Sequence, residues 1–544
     1  MLNKIHLLFN TIKYLKAGQI LNRIKRKLVK PRVLLFVAPE CSDLYRNFTP
    51  VIQRPQKLYD HTFFKFLNKG FVLKDSKDWN TESQDKLWLY NLHYFDDLNA
   101  VNWQQRTVWH CDLVQKWIDE NPLGFGNGWE PYPSSLRIVN WIKWFLLNNN
   151  TKKIWLDSLA TQTRFLSQNL EYHLLGNHLF ANAKALIFAG LFFKGEESDY
   201  WYQLGISIIK KELLEQVLSD GGNFELSPMY HAIFLEDLLD LVNIHKTYGK
   251  SFPDNIVTKI LKMLEWLKTM CHPDSQIAFF NDTTLGVAPS FFELLSYSEQ
   301  LGIAYKNHKL NRLTHLEASG YARLEQSKLV LIADVGNIGP DYIPGHGHAD
   351  ALSFELSLFD KRVIVNSGIS TYEKGLDRCE QRGTELHSTV VIDGKNSSQV
   401  WSGFRVANRA KVSVIKKFEN SKEIEILASH DGYKNLKKGI VHFRNWSVYS
   451  NSIKIVDNII GKGVHNVRSV LPIHPTVLVG DVQGSSICLK VDGNIVKLSF
   501  EGNGKLKVIK SKFHQGFGYS IDNKRLIYDY NGNLPSRIII RISW

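Results

Sequence analysis

Residues 345–359 read GHGHADALSFELSLF. From Ala351 onward apolar and polar side chains nearly alternate, the two-residue period of a β-strand with one polar face. Two histidines, each preceded by glycine, stand at the mouth of that strand. Further strand-like runs occupy 328–334, 389–393, 411–415, 453–456 and 536–542. Asp393-Gly394, Asp431-Gly432, Asp492-Gly493 and Asn531-Gly532 punctuate them and predict hairpin turns.

Upstream the period changes. Between Trp103 and Met270 apolar residues recur at helical spacing, as in Val114/Trp117/Ile118, Leu179/Ala183/Leu186 and Leu235/Leu238/Leu239. Asn148-Asn149-Asn150, Gly176-Asn177 and Asp220-Gly221-Gly222-Asn223 break the pattern into helical hairpins. Helices first and strands afterwards mean segregated layers rather than alternating βαβ units. The expected fold is multidomain α+β: a basic lead-in over 1–85, a helical domain over 86–315 and an antiparallel β domain over 316–544. A chain of 544 residues is long enough for two or three cores.

Composition is that of a globular protein, 44% apolar and 12% aromatic. The longest apolar run, 185–193, is far short of the roughly 20 residues that cross a bilayer. MLNKIHLLFNTIKYLKAG lacks the apolar core and small-residue site of a signal peptide. The expected location is the cytoplasm or the periphery of the inner membrane, with export by another route left open. Five cysteines, scattered singly, fit neither a disulfide framework nor a thiolate metal site and read as buried free thiols.

Net charge is +14, and residues 1–32 hold nine Lys/Arg with no Asp or Glu. That segment suits either a solvated helix or an anionic membrane surface, with Ile20, Leu21, Ile24 and Leu28 on one helical face. No basic-aromatic motif accompanies the charge, so no nucleic-acid partner is expected. Nothing indicates the oligomeric state.

Four stretches carry chemistry. In Gly345-His346-Gly347-His348-Ala349-Asp350, histidines at i and i+2 of an extended chain point to opposite sides, one toward a cleft and one inward. Asn366 and His387 could join His348 around a divalent cation. Asn177-His178 opens an apolar helix, whose amide end suits a carboxylate, although capping by Asn177 explains it too. Ser227-Pro228-Met229-Tyr230 opens another helix. Around Trp129, Glu130, Arg137 and Asn140, aromatic faces with an arginine and an amide suit carboxylated sugars, and core packing explains Trp141 and Trp144 equally well.

Taken together, Asn177-His178, Ser227-Pro228-Met229-Tyr230, the 345–350 motif, Arg382 through Val390 and Phe404-Arg405 resemble the heparinase II/III family of polysaccharide lyases. The resemblance runs from about Leu87 to the end. It implies an (α/α) toroid followed by an antiparallel β-sandwich, and cleavage of glycosaminoglycans such as heparan sulfate, or of alginate, by β-elimination. It implies that Asn177 and His178 neutralise the uronate carboxylate and that Tyr230 and His346 handle protons. Trp129, Glu130, Arg137, Asn140, Glu225 and Arg405 are the expected substrate contacts. His348, Asn366 and His387 would hold one divalent cation, zinc foremost with manganese or calcium as alternatives, and no organic cofactor is implied. Asn366 stands where many members have aspartate, and a neutral amide is the poorer zinc ligand. Two other readings compete. A glycoside hydrolase would need paired carboxylates, for which Glu130, Glu225 and Asp350 are candidates. A non-catalytic glycan-binding protein of polysaccharide synthesis or export would dock to a membrane through residues 1–32.

Overall fold

The structure, a computed structural model, describes residues 2–252, 255–306, 308–434, 436 and 439–544. Two amphipathic helices, α1 (Leu2–Ile12) and α2 (Ala17–Leu28), come first, and a small hairpin, β1 (Phe63–Phe66) and β2 (Lys69–Val72), follows. The helical half comprises α3 (Lys86–Tyr94), α4 (Thr107–Glu120), α5 (Pro131–Asn148), α6 (Lys153–Ser167), α7 (Gly176–Phe192), α8 (Glu196–Gln216), α9 (Pro228–Thr247), α10 (Ile256–Thr269) and α11 (Phe291–Gln300). Helix α7 packs against α5, α8 and α9, and every residue from Leu179 to Phe192 is buried. A helical stretch apolar on every side is stable in water only at such a centre, which accounts for the run at 185–193.

The β half contains β3 (Leu313–Leu316), β4 (Tyr321–Gln326), β5 (Leu329–Asp334), β6 (Phe354–Leu358), β7 (Lys361–Ile364) and β8 (Val390–Ile392). The two-residue pair β9 (Val400–Trp401) and β10 (Arg405–Val406) comes next. Then follow β11 (Val412–Glu419), β12 (Ile424–Tyr433), β13 (Ile440–Val448), β14 (Ser452–Ile473), β15 (Leu478–Gln483), β16 (Ser486–Val491), β17 (Asn494–Glu501), β18 (Lys505–Gly516) and β19 (Tyr519–Ser543). Its main path runs β15-β16-β17-β19-β14-β7-β6-β5-β4-β3, with β13-β12-β11 and β8 branching from β14 and β18 from β19. The long strands β14 and β19 pair along most of their length and tie both layers of the sandwich together. One core joins Leu331 and Leu356 on one side to Ile426 and Trp446 on the other.

Strand β6 departs from a simple half-solvated strand. Its polar residues Glu355 and Ser357 are fully buried, because the helical half covers that face. His272 contacts Ser357 Oγ through Nδ1 (2.8 Å) and Glu355 through Nε2 (3.0 Å). A junction core of Trp266, Phe280, Tyr321 and Ile332 seals the two halves.

Two of the four predicted hairpin turns are corrected. Asp393-Gly394 and Asp492-Gly493 adopt consecutive positive φ, as type I′ turns require. Asp431-Gly432 and Asn531-Gly532 instead run inside β12 and β19. At Gly432 a Cβ would lie 2.3 Å from the Ser397 carbonyl, so this glycine serves close approach rather than a turn. The thiols are also corrected: only Cys271 is buried, and Cys41 and Cys488 are exposed.

Candidate active site

A cleft of about 450 Å³ opens where the helical half meets the sandwich, within the size range of small-molecule sites. Asn140, Asn177, His178 and Tyr230 line it from the helices, and His346, Tyr372 and Phe404 from the sheet half.

Helix α7 enters through two left-handed residues, Leu175 (φ 67°) and Gly176 (φ 57°). A Cβ on Gly176 would lie 2.8 Å from Glu225 Oε1, so only glycine lets this turn approach that carboxylate. Glu225 Oε1 accepts from the Asn177 N–H at 3.1 Å. One residue on, His178 Nδ1 sits 3.2 Å from Glu171 Oε2, which also accepts from Asn182. Burial alone would lower the His178 pKa, but the Glu171 carboxylate outweighs it and the pKa rises above 6.5. Glu171 is shifted the other way: burial opposes ionisation, and the histidine beside it prevails. An imidazole whose pKa is raised, beside an amide at a helix N-terminus, suits a carboxylate.

Ser227 caps α9, its Oγ accepting from the Tyr230 N–H, and Pro228 occupies the first turn. This places the Tyr230 ring over His346, centroids 3.9 Å apart. Its hydroxyl lies 3.0 Å from that of Tyr372. Burial, then the two phenols' mutual proximity, raises the Tyr230 pKa well above 10, so the hydroxyl is neutral and able to donate.

Asp282, fully buried, organises the sheet side. Its Oδ2 accepts from His346 Nδ1 at 2.8 Å and its Oδ1 from His348 Nε2 at 2.9 Å, while the Arg378 guanidinium spans both oxygens. Burial resists the charge, but Arg378 and then the two histidines hold the carboxyl well below its usual range. The His346 ring thus lies between two carboxylates, Nδ1 against Asp282 Oδ2 and Nε2 3.3 Å from Glu225 Oε2. The two histidines therefore do not diverge as in an extended strand. Residues 345–350 form a turn, held by Asp282 N–H to His346 O (3.0 Å), His348 N–H to Asn281 Oδ1 (2.9 Å) and Arg382 to Gly347 O (2.8 Å).

Behind this loop, His348 Nδ1 and His387 Nε2 face each other at 3.3 Å. Their outer nitrogens are engaged with oxygen acceptors, His348 Nε2 with Asp282 and His387 Nδ1 with Asn366 Oδ1 (3.1 Å). Both inner nitrogens are then lone-pair bearing. Two imidazoles on one tetrahedral zinc at about 2.0–2.1 Å each stand about 3.3 Å apart. Asp350, with a buried oxygen lacking any hydrogen-bond partner, completes a set whose ligand atoms lie within 4.8 Å of one another. Burial pushes its carboxyl up to about 6. The donor set thus fits a divalent cation through His348, His387 and Asp350. Asn366 Oδ1, expected as a ligand, stands 3.1 Å from His387 Nδ1, the position of a group behind a metal-bound histidine.

Other expected substrate contacts lie elsewhere. Trp129 is 3% exposed, packed on Trp117 and Phe165. Arg137 is fully buried, stacked 3.8 Å over Trp117 and donating to Gln162 and the carbonyls of Gly128 and His93. Both serve the helical core, because the cleft opens on the other side of α5. Glu130 pairs with Lys86 and Tyr90 behind the cleft wall, and Glu225 is buried beneath Asn177, its Oε2 3.3 Å from His346 Nε2. Arg405 points away, 4.8 Å over Trp401, and its neighbour Phe404 reaches the cleft instead. Asn140 does line the cleft. Asp282, Tyr372 and Glu171 were missed. Only Asp282 left a trace, as Asn281-Asp282 interrupting an apolar run at 277–280.

A ring of helices joined to an antiparallel sandwich, with an imidazole, a phenol and a carboxylate receptor meeting at the joint, defines the (α/α) toroid plus β-sandwich class. Residues 54–293 match the heparinase II/III N-terminus and 308–543 the heparinase II/III-like C-terminal domain; the chain belongs to the heparinase II/III family. A heparin-sulfate lyase of Bacteroides stercoris is 26% identical over 77% of this chain and 70% of its own length. One from Pedobacter heparinus is 25% identical, over 68% of this chain and 60% of its own length. The crystal structure of heparinase III superimposes with a TM-score of 0.72 at 18% identity, covering 87% of this chain and 80% of that one.

Proposed function

We propose that this chain is a polysaccharide lyase that cleaves a uronic-acid-containing polymer by β-elimination, a glycosaminoglycan such as heparan sulfate foremost and alginate as the alternative. The observation that carries this reading is the meeting of Tyr230 and His346, from opposite halves, in one hollow beside Asn177 and His178.

The C5–H of a uronate is a weak acid because the adjacent carboxylate already carries charge. Asn177 and His178 bind that carboxylate and stabilise the enolate-like charge formed when the proton leaves. Tyr230 and His346 carry the proton transfers in this reading, one as base toward C5 and one as acid toward the leaving O4. The C5–H and C4–O4 bonds break, a C4=C5 double bond forms, and the departing sugar gains a proton at O4. Tyr230, neutral, donates the proton to the leaving O4, and His346 serves as the base toward C5. His348, His387 and Asp350 would hold a divalent cation, which when bound would cross-link the 345–350 loop to residues 384–389.

Cations and carboxylates balance on another wall of the cleft. Lys184 pairs with Asp237 (2.6 Å) and Asp240 (2.5 Å), Lys143 with Asp240 (2.6 Å), and Arg54 with Glu236. This charge balance leaves few unpaired cations on that wall and disfavours densely sulfated polymers. Incubating the protein with glycosaminoglycans, alginate and pectate, and recording ultraviolet absorbance of unsaturated uronate, tests the reading. Saturated new ends would instead make it a hydrolase, and binding without new ends a glycan-binding protein.

A further inference from the structure

Helices α1 and α2 take no part in the cleft, and their amphipathicity is reversed. The side chains they bury are polar: Asn10 is 6% exposed and Gln19 2%. Gln19 donates to the Leu174 carbonyl, Arg26 contacts His173 and Lys16 pairs with Glu215, all in the helical half. Trp401 Nε1, in the sheet half, donates to Thr11 Oγ1 (3.1 Å), and Arg409 lies 3.8 Å over the Tyr14 ring. The pair thus straps both halves through polar contacts. The apolar side chains face outward: Ile5, Phe9 and Ile12 on α1 and Leu21, Ile24 and Leu28 on α2 are 49–77% exposed. Spacings of i, i+4, i+7 and i, i+3, i+7 make one stripe on each helix.

The charges identify what covers these stripes. At about 100° per residue, Lys25 and Lys27 flank the α2 stripe with Arg23 one step beyond Lys27, while Gln19 and Arg26 lie opposite, against the protein. Lys4 and Lys13 flank the α1 stripe in the same way. Arg23, Lys25, Lys27, Lys4 and Lys13 are all exposed, and residues 1–32 contain no acid. A second copy would set cation against cation, and a polyanionic glycan would satisfy the charges but leave the large apolar side chains in water. The boundary of an anionic bilayer takes both, apolar side chains among the acyl chains and cations among the phosphates. Helices of 11 and 12 residues are too short to cross, and among the described residues no helix is long and apolar enough to do so.

We propose that α1 and α2 form a docking face that lays the protein on an anionic lipid surface. The inference is independent of the lyase reading. The test is co-sedimentation of the full chain with vesicles of phosphatidylcholine alone and of phosphatidylcholine mixed with phosphatidylglycerol. Binding is expected on the anionic vesicles only. The triple variant R23Q/K25Q/K27Q should lose about 100-fold in partitioning, from about 1 kcal/mol per cation at a membrane surface. The double variant F9D/I24D should lose at least as much. Because the altered side chains are exposed, both variants should keep the parent's thermal midpoint and cleft activity on soluble polymer. Failure of the parent to bind anionic vesicles, or undiminished binding by either variant, would overturn the proposal. So would a concentration-dependent dimer abolished by F9D/I24D, which would give the face to a second copy.

Discussion

Tyr230 and Tyr372 form a hydroxyl pair, 3.0 Å apart, in which one proton lies between two oxygens and the other is free to point into the cleft. Tyr230→Phe should lower kcat by about 10²–10⁴-fold, the usual worth of a positioned proton transfer, with KM little changed. Tyr372→Phe removes only the partner that aims the hydroxyl, so a smaller fall in kcat is expected, about tenfold; steady-state kinetics on both variants separates the roles. His178 and Glu171 bear on pH. The raised His178 pKa contributes stability in full below 6.5 and loses it as pH rises through the folded value; the depressed Glu171 pKa contributes above 4.5 and loses it as pH falls through its own. The difference in thermal midpoint between the parent and His178→Gln should therefore be greatest between pH 4.5 and 6.5. Activity of the parent should decline on the alkaline side as His178 gives up its proton. Tyr230 and Asn177-His178 were legible because each follows a local helix-opening signal. Asp282 was not: it acts on His346 across 64 positions, and nothing in a one-dimensional pattern records that proximity.

Elements explain why those side chains converge. The left-handed entry to α7 brings the Asn177 amide to Glu225, and Gly176→Ala would force a Cβ against that carboxylate at positive φ. A loss of about 1–3 kcal/mol is expected, read by denaturant unfolding, together with reduced kcat as Asn177 shifts. Helical spacing predicted α4, α5, α7, α9 and α10, because each buries a long apolar face and periodicity reports burial directly. Glycine was harder to interpret. In Asp393-Gly394 it supplies a turn, while in Asp431-Gly432 the same dipeptide lets one backbone pass close to another. The distinction rests on a neighbour contributed by a remote segment. Trp129 and Arg137 failed for a related reason: the composition of a sugar platform is also that of a buried aromatic core stabilised by a stacked guanidinium.

At the scale of the molecule, the order of helices and strands announced the two layers, but not the joint between them. The cleft exists only because the toroid covers the polar face of β6 and the 345–350 loop returns to meet it. If His348, His387 and Asp350 hold a cation as their geometry fits, elemental analysis should find one divalent ion per chain. Chelation should then lower the thermal midpoint, zinc should restore it, and His387→Ala should abolish both effects. A cation-free protein indifferent to chelator would reduce the histidine pair to an ordinary hydrogen bond. Strand β19 adds a temporal consequence. Residues 519–543 pair with β14, β17 and β18, so the sandwich lacks its spine until they leave the ribosome. The toroid, made first, can settle while translation continues. The hydroxyl that α9 contributes is thus made before the imidazole it faces, and the two meet only when the 345–350 loop has folded back onto Asp282.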